Sequence, residues 1–117
     1  MNFANSSIRD LDAAPRDTLD ELPFGVIGFD AGGTVDLYSA AESRMAGLSP
    51  DKVLGKHIFG VVAPCMNNYL VAQRFEDEPE LDATIDYVLT LKMRPTPVKL
   101  RMLKSAGAAR RYLLIQR

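Results

Sequence analysis

Few residues in this 117-residue chain can do chemistry: one cysteine, Cys65, one histidine, His57, and a tyrosine and a glutamate four residues apart, Tyr38 and Glu42. A thiol beside an imidazole is the start of a nucleophilic cysteine site, but such a pair needs a third group to orient the base, and no residue pattern supplies one. One cysteine makes no internal disulfide, and with one histidine it falls short of the four ligands of a structural zinc site. His57, in Gly55-Lys56-His57-Ile58, reads as a hydrogen-bonded loop residue, with haem ligation as its remaining metal role. Taken alone, Cys65 reads as a small apolar residue after Pro64, Tyr38 as a strand-end aromatic and Glu42 as a solvated helix carboxylate. Asp30-Ala31-Gly32-Gly33-Thr34 lacks the phosphate-loop pattern and precedes a strand, so its glycines are turn residues. Asn5-Ser6-Ser7 matches a glycosylation sequon by chance. With no acid–base pair or metal constellation, the expectation is a protein that is not an enzyme.

The elements that must position these groups follow from the patterning. With 47% hydrophobic and 25% charged residues, the chain has the composition of a globular protein with one core. No stretch approaches the roughly 20 apolar residues of a membrane span, and the first residues lack a signal-peptide layout, which predicts a cytoplasmic protein. The net charge of −1 hides an asymmetry, because every acidic residue precedes Leu91 and most of the basic ones follow it. Those basic residues alternate with apolar ones, as in Lys99-Leu100-Arg101-Met102, which reads as the wet face of a strand rather than a nucleic-acid patch.

Residues 1–20 are polar, are interrupted by Pro15, and carry leucines at Leu11 and Leu19. They predict a cap or arm with a turn or two of helix. FGVIGFD and TVDLYS read as a hairpin around Gly32-Gly33. Residues 40–47 form a helix ending at a C′ glycine, and Ser49-Pro50 opens a second short one that ends near Gly55. HIFGVVAPCMNNY fits neither period and reads as a helical turn running into a loop; residues 68–76 predict a third helix stopped before Pro79. Ala83, Ile85, Tyr87, Leu89, Leu91 and Met93 alternate with Thr84, Asp86, Thr90 and Lys92, Val88 being the exception, which predicts a long half-buried strand. Arg94-Pro95-Thr96-Pro97 then connects to VKLRMLKS, and RRYLLIQR closes the domain. The expected architecture is α+β: one antiparallel sheet of about five strands, short helices packed on one face, and a ligand cleft between them, with a cap over residues 1–20 and the domain proper over 21–117.

From Leu22-Pro23-Phe24-Gly25-Val26-Ile27 to the last strand, the sequence resembles the photoactive yellow protein family, blue-light receptors of the PAS superfamily. The resemblance rests on Tyr38-Ser39-Ala40-Ala41-Glu42, on Gly55-Lys56-His57-Ile58-Phe59-Gly60-Val61-Val62-Ala63-Pro64-Cys65, and on Met93-Arg94-Pro95-Thr96. It implies a PAS fold and a 4-hydroxycinnamic (p-coumaric) acid chromophore thioester-linked to Cys65. It also implies that Tyr38 and Glu42 hold the phenolate oxygen, that Ala46, Ile58, Val62, Ala63 and Leu89 line the pocket, and that Met93 lies near the ring, where it speeds recovery. Light would isomerise the double bond, pass a proton from Glu42 to the phenolate and strand a carboxylate inside. Partial unfolding would follow, beginning at the N-terminal arm, which has the fewest expected apolar contacts and would be read by a downstream signalling protein.

The chemistry is consistent with these residue types. A thiolate can take an acyl group from an activated donor. A buried phenolate must be hydrogen-bonded, and a tyrosine hydroxyl and a protonated carboxyl are two donors able to do so. Where the family prototype has threonine and arginine, this chain has Ala46 and Leu48, and Ile58 and Leu89 stand where the prototype has phenylalanine. Shifted absorption and recovery, with attachment retained, are the consequences expected. The alternative is a light-independent PAS module that binds another small ligand or a protein partner. A monomer or weak dimer is expected, without membrane or nucleic-acid partners.

Overall fold

The computed structural model describes residues 1–91 and 93–117. Strands β1 (Gly25–Phe29), β2 (Val35–Tyr38), β3 (Leu81–Leu91), β4 (Arg94–Lys104) and β5 (Arg111–Gln116) form one antiparallel sheet in the order β2-β1-β5-β4-β3. The β1–β2 hairpin has the expected glycine turn, with Gly33 at φ 88°. Asp30 Oδ1 accepts the N–H groups of Gly32 and Thr34 there, each at 2.9 Å. Its neighbour β5 pairs with β1 from Gly25↔Ile115 to Phe29↔Arg111, so the first and last strands form the middle of the sheet.

One face of the sheet carries Ile27, Phe29, Leu100, Met102, Leu113 and Ile115, packed under the segment between β2 and β3. That segment holds helix α3 (Ala40–Ala46), a 3-10 turn (Pro50–Lys52), a π-helical turn (Ile58–Val62), a second 3-10 turn (Pro64–Met66) and helix α4 (Ala72–Asp77). Phe29 meets Phe59 and Phe75 edge-on, at 5.8 and 5.0 Å between ring centres. His57 is the loop residue expected: its Nδ1 accepts the N–H groups of Phe59 (3.2 Å) and Gly60 (3.0 Å), capping the π-helical turn. Helix α4 starts later than the expected residue 68, because Asn68 Oδ1 takes the Leu70 N–H at 3.0 Å and holds the backbone in a local turn instead of a helix.

The opposite face is covered by the N-terminal arm, with helices α1 (Ile8–Ala13) and α2 (Arg16–Asp20). Phe3, Leu11, Leu19 and Leu22 pack there on Phe24, Val26, Leu37, Leu103, Tyr112 and Leu114. The arm is therefore not the contact-poor segment expected, since Phe3, Leu11 and Leu19 are buried beside a second apolar sheet face. Burial on both faces explains why β1 and β5 read as continuous apolar runs rather than alternating ones.

Two further expectations are corrected. Arg101 does not sit on a wet face. It is 5% exposed beneath the arm, where its guanidinium pairs with Asp82 (3.0 Å, twice) and donates to the carbonyls of Phe3 (3.0 Å) and Ser6 (2.6 Å). Arg94-Pro95-Thr96-Pro97 is not a connection but the start of β4, in register with β3 as Thr90↔Pro95 and Val88↔Pro97. Both prolines lie beyond the Lys99↔Gln116 pair that ends the β4–β5 ladder, where the strand has a neighbour on one side only and a missing N–H is tolerated. Lys92, expected on the wet face of β3, lies outside the described residues, as does the Leu91 side chain. No helix among the described residues is long and apolar enough to cross a membrane.

Candidate functional site

The chemistry-bearing residues come together where β2 feeds α3. Ser39 caps this helix: its buried Oγ accepts the N–H of Val26 at 2.9 Å and of Glu42 at 3.3 Å. The cap joins α3 to β1 and fixes Tyr38 on one side and Glu42 on the other. The spelling Ser39-x-x-Glu42 is that of a capping box, but the Ser39 N–H bonds Val26 O instead, which leaves the Glu42 carboxylate to turn inward. Gly25 makes room for it: a Cβ there would collide with Glu42 Oε1 and stand 3.1 Å from Glu42 Cβ and Cδ.

Glu42 is 4% exposed and not the solvated carboxylate its residue type suggested. Arg117, immediately after β5, reaches it with a two-pronged contact, Nη1 to Oε1 at 2.8 Å and Nη2 to Oε2 at 3.2 Å. Burial raises the Glu42 pKa above the ordinary carboxylate value, while the Arg117 hydrogen bonds and charge pull the other way. Burial also raises Tyr38, reinforced by the nearby Glu42 charge, so its hydroxyl stays protonated and is a donor. That hydroxyl makes no hydrogen bond among the described residues, although Tyr38 as a whole is 2% exposed.

Cys65 sits in the second 3-10 turn and is half-buried against the core. Its carbonyl is anchored to β3: it accepts the Tyr87 hydroxyl at 2.6 Å and Asn68 Nδ2 at 3.2 Å, and Asn68 Nδ2 lies 2.6 Å from the Tyr87 oxygen. A cavity of about 90 Å³ opens between the sheet and the helical segment, its exposed lining mostly apolar. Tyr38, Glu42 and Cys65 all line it, as do Ala46, Val62, Ala63 and Leu89. Two expected residues are not among the lining. Ile58 is fully buried in the core behind it. Met93 lies in the β3–β4 turn at φ 67° and is 92% exposed, because the hairpin carries it out into solvent. Leu48, Ile27, Met66 and Thr90 complete the wall. Sequence reasoning missed Arg117, Asn68 and Tyr87 as parts of the site; a basic residue ending an apolar strand, and an Asn three positions after the cysteine, carry no signal by themselves.

The sheet order, the helical segment over one face and the cavity between them define a PAS domain, and the chain matches the PAS fold family over residues 13–115. Within that fold it belongs to the photoactive yellow protein family. It is 34% identical over 102 residues to the photoactive yellow protein of Rhodothalassium salexigens and 35% identical over 102 residues to that of Halochromatium salexigens. Each alignment covers 85% of this chain and 82% of the relative. Among solved structures it is similar to the photoactive yellow protein domain of the sensor histidine kinase Ppr from Rhodospirillum centenum. The TM-score is 0.84 and the identity 33%, covering 91% of this chain and 96% of that one.

Proposed function

We propose that this protein is a blue-light sensor whose pocket carries a 4-hydroxycinnamoyl group as a thioester on Cys65, with a signalling rather than a catalytic output. One observation supports it above the others: one mostly apolar cavity is lined by the chain's one thiol, by the hydroxyl of a buried tyrosine that makes no hydrogen bond among the described residues and by a buried carboxyl group. These groups fit such a ligand. The thiol bonds its acyl end, apolar walls flank its ring, and Tyr38 and protonated Glu42 are the two donors a buried phenolate needs. When bound, the group supplies a conjugated absorber with a photoisomerisable double bond.

The residues then have distinct tasks. Cys65 attacks the carbonyl carbon of an activated ester, the bond to the leaving group breaks, and the thiol proton leaves with that group. The Tyr87 and Asn68 contacts to its carbonyl hold the turn still. Tyr38 keeps its proton and donates. Glu42 donates while protonated and is the nearest source of a proton when the geometry changes. Glu42 lies on α3, whose first N–H, that of Ala40, bonds Asp20 Oδ1 at the end of α2 at 2.9 Å. A shift of α3 therefore pulls on the N-terminal arm, which would present the change to a signalling partner.

Ala46 and Leu48 in the wall favour a second reading, a PAS module for a different apolar ligand without light chemistry. The distinguishing experiment is incubation with the thiophenyl ester of 4-hydroxycinnamic acid, followed by intact mass. One adduct in the wild type and none in Cys65→Ser supports the light sensor. No adduct in the wild type overturns it.

A further inference from the structure

Glu42 has two sets of partners that compete for its carboxyl oxygens. As a carboxylate it takes the guanidinium fork of Arg117, which engages both oxygens at 2.8 and 3.2 Å. As a donor into the cavity it must carry a proton and release at least one of those contacts. The surroundings offer little else. Gly25 faces Glu42 without a side chain, Ser39 Oγ is occupied by two backbone N–H groups, and Tyr38 is the other titratable neighbour. The Arg117 side chain is 11% exposed and that of Glu42 5%, so the pair has little water to fall back on.

We propose that Arg117 is the counterion that takes the Glu42 carboxylate whenever Glu42 has lost its proton, so that a positioning residue beyond β5 selects between the two states of Glu42. Its consequence under illumination rests on the light-sensing function proposed above. There, proton transfer leaves Glu42 paired with Arg117 rather than stranded. The pair lengthens the life of the light state and ties the residue after the central strand β5 to the event in the pocket. Arginine suits this role better than lysine, because its planar fork matches both carboxylate oxygens at once.

A carboxyl-carbon NMR titration of Glu42 in the protein before loading tests the pairing, with Glu42→Gln to assign the signal. Arg117→Gln should raise the midpoint by about one unit or more, and Arg117→Lys should recover part of the difference. An unchanged midpoint in Arg117→Gln overturns the proposal. In the loaded protein, Arg117→Gln should form the same adduct while its light state decays about tenfold faster or more, as expected when a buried anion loses its partner. An intact adduct with wild-type decay removes Arg117 from the light state and leaves the sensor itself standing. If the wild type takes no adduct, the light-sensing reading fails, and the titration alone still decides the pairing.

Discussion

Glu42 shows how one residue's role depends on what surrounds it. A glutamate in the first turn of a seven-residue helix has no reason in its own sequence to be buried. It is buried because Ser39 uses its own N–H and Oγ on β1 and because Gly25 leaves a space the size of a carboxyl group. Gly25→Ala should therefore destabilise the protein by about 1–3 kcal/mol, the usual cost of overfilling a packed site. It should also push the carboxylate off the Arg117 fork. The denaturant midpoint should fall with an unchanged m-value, and a midpoint equal to wild type would show that the space is not needed. Tyr38, Glu42 and Cys65 were identifiable in the sequence through a resemblance, not through their residue types, since each alone has an ordinary structural explanation. Arg117 and Tyr87 were not identifiable, because their roles arise from contacts across 75 and 22 residues that no local pattern encodes.

Among the elements, hydrophobic periodicity revealed the strands well and the arm poorly. The alternation in β3 survives in the structure, with Asp82, Thr84, Asp86, Val88 and Thr90 exposed along one side. Arg101 defeats the same logic. Its polarity suggests a wet face, yet the arm covers that face, and the guanidinium satisfies two buried carbonyls of the arm. Arg101→Met should leave those carbonyls without their donor at about 1–3 kcal/mol each. Residues 1–20 should then exchange their amide hydrogens rapidly while β1 and β5 stay protected. Uniform protection would mean that the apolar contacts of Phe3, Leu11 and Leu19 hold the arm without the clamp.

A second clamp ties α1 to β5, where Tyr112 donates to Asp12 at 2.5 Å. Burial, reinforced by that bond, pushes the Tyr112 phenol up to about 12, with Arg110 pulling the other way. A folded-state value above the unfolded one of about 10 means that its contribution to stability is full below pH about 10 and is lost as pH rises toward 12. Denaturant melts across that range should show this loss in the wild type. Tyr112→Phe should be weaker at neutral pH by about 1 kcal/mol and lack this component of the alkaline decline. An identical decline in the variant would place the alkaline weakness elsewhere.

The whole molecule is a sheet whose strands β1 and β5 are buried on both faces, with a cavity of about 90 Å³ on one side and an arm on the other. The two are joined through the α3 N-terminus, where the Ala40 N–H meets Asp20. This geometry suits a sensor: Glu42 lies in the same first turn of α3 whose leading N–H holds the arm, so chemistry there acts directly on the joint. The α+β sheet with helices on one face was foreseeable from element order and its PAS character from the resemblance, but the second packed face was not, because Phe3, Leu11 and Leu19 are too widely spaced to declare a period. The central claim is that the pocket holds an absorbing phenolate whose state light can change. Its most direct test is the absorption spectrum of the 4-hydroxycinnamoyl-loaded protein in the dark, under blue illumination and after return to darkness. The expected result is a Cys65-dependent band in the blue that bleaches in the light and recovers in the dark. A loaded protein that absorbs only in the ultraviolet and does not respond to light would contradict it.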